Sequence, residues 1–203
     1  MSDVVVKSPA VGARRLWIAA IIVASLQTLV LGYMVGERAW GLRSGTEILL
    51  KTAPVDPRDL LRGDYVTLNY DISRVPVSTL VGGPPKESMS NQVLSVRLMK
   101  QQDGYWGVVE SSFAALEPKP GTVILKSLPF DYVSYGDQAD GSARMFVNYG
   151  IERYYVPEGQ GHDIENASND KRVAIAARVS SDGVAHIRSL LLDGKSVYEE
   201  PLY

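Results

Sequence analysis

Hydrophobic and polar positions divide the chain into one long apolar run and a train of short alternating ones. Residues 16–35 carry no charged side chain, and Gln27 is the most polar among them. About 20 such residues match the hydrocarbon thickness of a bilayer. The apolar positions also cover every face of a helix, unlike those of a half-buried soluble helix. A cleaved signal sequence has an apolar core of only ~7–15 residues and a small-residue cleavage site. This run is longer and leads into Gly36-Glu37-Arg38 with no such site. The pattern predicts a retained transmembrane anchor at 16–35, a polar tail at 1–15, a stalk at 36–45 and an external domain at 46–203.

A first strand is expected at 47–52. The stretch 54–72 that follows organises the rest. Asp56 suits a helix N-cap, Pro57 the first helical position and Asp59 the third residue after the cap. Gly63 suits a left-handed residue that ends the turn. Arg58 and Arg62 are four apart and share one face. From Asp64 the period becomes two: Val66, Leu68, Tyr70 and Ile72 face the core, while Tyr65, Thr67, Asn69 and Asp71 face away. Residues 74–92 are rich in Pro, Gly and Ser and read as a mobile loop.

Strand signals resume at Val93, where Leu94, Val96 and Leu98 alternate with Ser95, Arg97 and Met99. Asp103-Gly104 turns the chain into a return strand at 105–110. Further strands are expected at 122–128 and, as one long strand, at 144–156, with a short helix at 161–167. Strands at 173–179, 184–192 and 195–199, joined by Asp-Gly turns, close the chain as a meander. The fold class is therefore mainly β, an antiparallel sandwich or barrel with one N-terminal transmembrane helix. The competing architecture is α+β with a small helix.

Composition narrows the chemistry. A net charge of −2 argues against nucleic acid as a partner. The absence of cysteine removes disulfides, thiolate catalysis and zinc–cysteine sites. With two histidines, His162 and His186, little is left for metal chemistry. No cofactor or metal is expected, and no small-molecule ligand is specified.

Gly63-Asp64-Tyr65, Leu68 and Tyr70 spell the motif of the GDYXXLXY family, which this chain resembles. A second block, Tyr149-Gly150-Ile151-Glu152-Arg153-Tyr154-Tyr155-Val156-Pro157-Glu158-Gly159, is similar to the family's pattern as well. The resemblance runs from the anchor to at least Glu165. It implies a membrane-anchored bacterial protein of uncharacterised function, commonly encoded beside, or fused to, polytopic membrane proteins. It implies no catalytic residue.

Two clusters stand out as candidate chemistry. Arg58 and Arg62 are placed to grip a carboxylate or phosphate together, or to pair with Asp59 and Asp64 and lock the turn. Glu152, Glu158, His162, Asp163 and Glu165 offer oxygens to a hard cation, but no Asp-x-Asp-x-Asp-Gly loop accompanies them, and a solvated face is the simpler reading. The anchor, the β domain and Arg-Gly-Asp-Tyr-Val loosely resemble type I signal peptidases, which work with a Ser–Lys pair. Ser44 lacks the sequence context of that nucleophile, and Lys100 and Lys126 are unsupported as its base. A serine peptidase-like hydrolase is thus the alternative to a binding or accessory domain that acts with a polytopic membrane protein. Basic residues on the two flanks of the span are balanced, but Arg14-Arg15 abuts it, and long domains translocate regardless of charge. The expected topology is N-terminus in the cytoplasm of a bacterial inner membrane, with the C-terminal domain in the periplasm or outside.

Overall fold

The computed structural model describes residues 10–53, 65–134, 143–155, 164, 167, 170 and 172–199. The chain forms two compact units, one up to Ala39 and one from Trp40 on. The first is helix α1, Ala10–Ser44, whose last turn belongs to the second unit. Within α1 the stretch Arg15–Gly41 is long and apolar enough to cross a membrane, and its most apolar 18 residues are not buried in protein. The helix thus continues through residues 36–44, the expected stalk.

The second unit is antiparallel β. One residue, Gly45, joins α1 to β1 (Thr46–Ala53). A Cβ there would lie 2.6 Å from the Gly41 carbonyl oxygen and 3.0 Å from that of Val179, so only glycine fits without a shift. Arg178 holds the junction from β12 (Val173–Val179): its guanidinium donates to the Arg43 carbonyl at 2.9 Å and pairs with Glu47 at 3.3 Å. A cation on the last carbonyls of a helix complements its dipole.

With β3 (Asn69–Tyr70), β13 (Ala185–Leu192) and β14 (Lys195–Glu199), these strands form a five-stranded sheet in the order β14-β13-β12-β1-β3. The C-terminal meander is therefore built as its Asp-Gly turns predict. A three-stranded sheet has β6 (Ser95–Lys100) between β7 (Trp106–Ser112) and β8 (Thr122–Lys126). Among the described residues three two-stranded ribbons join them: β2 (Tyr65–Thr67) with β11 (Arg153–Tyr155), β4 (Arg74–Pro76) with β10 (Arg144–Phe146), and β5 (Met89–Gln92) with β9 (Phe130–Tyr132). β1 lies against β7 and β12 against β8, so the larger sheets share one core, with Leu50, Leu68, Tyr70, Val96, Leu98, Leu125 and Ile175 at its centre.

Three expectations are corrected. The period-two stretch after Asp64 is not one strand: β2 pairs with β11, β3 pairs with β1, and Asp71–Ser73 is a 3-10 turn. The chain changes partners at Leu68, whose side chain enters the core, so the inward parity of Leu68, Tyr70 and Ile72 survives the break. Residues 74–92 are not a structureless loop. Val75, Val77 and Leu80 are buried, and Val77 N–H donates to the Ala143 carbonyl at 2.9 Å. Few in number among Pro, Gly and Ser, these apolar residues carry no periodic signal. Finally, 144–156 is two strands with different partners, parted at Gly150, whose φ of 82° suits glycine. Of the expected helix at 161–167, Ile164 and Ala167 are helical and buried, and the rest lies outside the described residues.

Candidate functional site

The two sequence motifs are each other's partners. In the β2–β11 ribbon Tyr65 is opposite Tyr155, Val66 opposite Tyr154 and Thr67 opposite Arg153. The interlock continues past the strands. Leu68 N–H donates to the Glu152 carbonyl at 2.7 Å, Tyr70 Oη–H to the Ile151 carbonyl at 2.6 Å, and Tyr149 Oη–H to the Ile72 carbonyl at 2.8 Å. Each block thus sends a buried phenol to a backbone oxygen of the other.

Glu152 fastens the bend between β10 and β11. Its carboxylate accepts from Tyr149 N–H at 2.5 Å and from Gly150 N–H at 2.9 Å. Burial, and secondarily the Glu152 charge, pushes the Tyr70 and Tyr149 phenols far above the usual tyrosine range, so both remain donors. Tyr154 is buried, with its ring 6.4 Å from that of Tyr198. Leu68, Tyr70, Glu152 and Tyr154 therefore serve architecture, and the structure brings them together.

Arg58, Arg62, Gly63, Asp64, Glu158, His162, Asp163 and Glu165 lie outside the described residues, as does the side chain of Tyr65. Among the described residues no cluster of three or more His, Asp or Glu is arranged for a metal. Ser44 Oγ–H donates to the Trp40 carbonyl at 2.7 Å, and neither Lys100 nor Lys126 lines the groove that Ser44 borders. His186 is half-buried on β13.

Beyond Tyr70 the chain reaches an open groove of about 230 Å³. Lys51 enters it from β1, Arg74 from β4 and Arg144 from β10. Asp71 and Asp103 bring negative charge, and Tyr105 and Trp106 line it as well. An adjoining cavity of about 260 Å³ shares Lys51, Asp71 and Tyr105. Lys51 Nζ lies 2.6 Å from Asp103 Oδ2 and 4.8 Å from the centre of the Tyr105 ring. The Asp103 hydrogen bond raises the Lys51 ammonium pKa, and Lys51 in turn lowers that of the carboxyl, so both stay ionised.

The sequence does not single out this groove, because its cations come from separate strands. Pairing sets them side by side. Arg74 is opposite Phe146 and Pro76 opposite Arg144, so both arginines share the outward face of one ribbon, while Val75 and Met145 fill the inward face.

Comparison with known proteins bears on the interlocked blocks. No curated protein and no solved structure matches the chain. The sequence model of the family described as "GDYXXLXY protein" matches residues 27–190, which takes in the end of the apolar helix, both blocks and most of the β unit. The chain belongs to the GDYXXLXY family.

Proposed function

We propose that this protein is a membrane-anchored binding domain that acts with a polytopic membrane protein. In this reading α1 is a retained anchor, the N-terminus lies in the cytoplasm, and the β unit lies outside it, in the periplasm of a cell with two membranes. The observation that carries the reading is the junction at Gly45. With one residue between α1 and β1, and Arg178 holding the helix end, the β unit begins where the apolar helix stops. A domain tethered so tightly meets partners in the same membrane in preference to distant ones, since a short linker raises effective concentration only for sites within its reach. Arg58 and Arg62, four apart in the sequence before β2, are the proposed docking pair for a carboxylate of that partner.

Affinity purification of the full chain from detergent-solubilised membranes tests the reading. The expected result is recovery of one polytopic membrane protein in stoichiometric amount, and its loss with Arg58→Gln/Arg62→Gln at an unchanged melting temperature. Recovery of no such protein overturns the reading. Unaltered recovery with the double variant removes the arginines from the docking role.

A further inference from the structure

We propose that the groove between β1, the β4–β10 ribbon and the 101–106 turn binds a short neutral oligosaccharide. The charges on its lining are matched. Lys51 and Asp103 form an ion pair at 2.6 Å, and Arg144 is already engaged within the protein. What remains is one carboxylate, Asp71, and one guanidinium, Arg74, both exposed on the same lining. A lining with no net charge to offer does not select an ion, but it presents acceptors and donors side by side. Sugar hydroxyls need both, because each donates one hydrogen bond and accepts others. Asp71 accepts, Arg74 donates, and the amide of Gln101 carries both functions. That amide is steadied by its Nε2–H, which donates to the Met99 carbonyl at 3.0 Å.

Tyr105 and Trp106, both half-buried, supply the apolar part of the lining. The face of an aromatic ring is electron-rich and attracts the polarised C–H groups on one side of a pyranose ring. Lys51 covers the Tyr105 ring from 4.8 Å, which makes Trp106 the principal stacking surface. Shape points the same way. Two depressions of about 230 and 260 Å³ meet along Lys51, Asp71 and Tyr105, so a ligand of repeating units can seat one ring in each. The turn that carries the aromatic residues is set before any ligand arrives. Lys51–Asp103 ties it to β1, Asp103 Oδ1 accepts from Tyr105 N–H at 3.1 Å, and Gln101 N–H donates to the Tyr105 carbonyl at 2.7 Å. A wall fixed in advance loses little freedom on binding.

The test is calorimetric titration of the full chain, solubilised in a detergent without a sugar headgroup. The probes are cellotriose, maltotriose and the linear trimer of N-acetylglucosamine. At least one is expected to bind saturably, and its monosaccharide about tenfold more weakly, since one ring fills one depression only. Raising the salt from about 50 to about 500 mM is expected to leave the affinity unchanged, because a neutral ligand has no charge to screen. Trp106→Ala is expected to weaken binding about tenfold or more, as truncation of a central aromatic contact does. Trp106 also packs against the core, so Asp71→Asn, at an exposed position, is the second variant. It keeps the side-chain shape and is expected to weaken binding about fivefold through loss of a charged acceptor. Lys195→Gln, on β14, is expected to leave binding unchanged. Absence of saturable binding by all three trisaccharides, equal affinity for the monosaccharide, loss of affinity with salt, or undiminished binding by the folded groove variants overturns the site. Titration and co-purification are separate readouts, so this site and the membrane partner stand or fall independently.

Discussion

Tyr70 and Tyr149 show how much of this family's signature is hydrogen bonding in a dry interior. Each phenol reaches a carbonyl in the opposite block, at Ile151 and Ile72. Removing the hydroxyl leaves a buried acceptor without its donor. Tyr70→Phe and Tyr149→Phe are therefore each expected to lower stability by about 1–3 kcal/mol. Leu68, fully buried beside them, has no polar role, and Leu68→Ala is expected to cost about 2–5 kcal/mol through transfer and cavity terms. Thermal melts of the purified full chain measure all three. The same phenols set an alkaline limit. A folded pKa above the unfolded one gives stability that is complete below about pH 10 and is lost as pH rises beyond it. The melting temperature should fall above that pH, and less steeply in the double Phe variant.

At the scale of elements, β6 and β7 illustrate both what alternation reveals and what it hides. Val96 and Leu98 turn inward as their parity predicts, yet Arg97, on the opposite face, is only 2% exposed. Its Nε lies 2.5 Å from Glu110 across the β6–β7 pair, one terminal nitrogen donates to Thr122 Oγ1 at 3.1 Å, and the other donates to the Glu117 carbonyl at 2.7 Å. Hydrogen bonds from Arg97, then from Lys119, lower the Glu110 pKa below the usual glutamate range. A depressed folded pKa gives stability that is full above about pH 4.3 and lost as pH falls through the folded value. Melting curves below pH 4.5 should show that acid-side loss, and Glu110→Gln should remove it while lowering the neutral-pH melting temperature.

Strands defined by their own side chains, such as those of the C-terminal meander, were legible in the sequence, as was the inward face of Leu68 and Tyr70. The breaks at Leu68 and Gly150 were not, because each marks a change of partner, and partners are distant in sequence. Burial of Arg97 and the meeting of Lys51, Arg74 and Arg144 were hidden for the same reason. The arginine pair that the sequence did single out, Arg58 and Arg62, lies outside the described residues, so its docking role rests on spacing alone.

At the scale of the whole molecule, the proposed role of the N-terminal helix as a retained anchor sets where the β unit is expected to work. A reporter fused after Tyr203 is expected to be active only outside the cytoplasm, and mass spectrometry of the mature protein should find its N-terminus retained. Cytoplasmic activity, or cleavage near residue 36, would reverse the topology or turn the helix into a removable signal. The interlocked blocks also govern the order in which the unit is made. Tyr70 and Ile151 are separated by 81 positions. At a synthesis rate of ~5–20 residues per second, the first block emerges roughly 4–16 s before the second. Throughout that interval β2 lacks its partner strand, and Leu68 N–H and Tyr70 Oη–H lack the carbonyls they reach, while closing so long a loop carries its own entropic delay. Nascent chains that stop short of residue 151 therefore hold an unpaired β2 beside apolar Leu68, the kind of surface that holding chaperones and quality-control proteases engage.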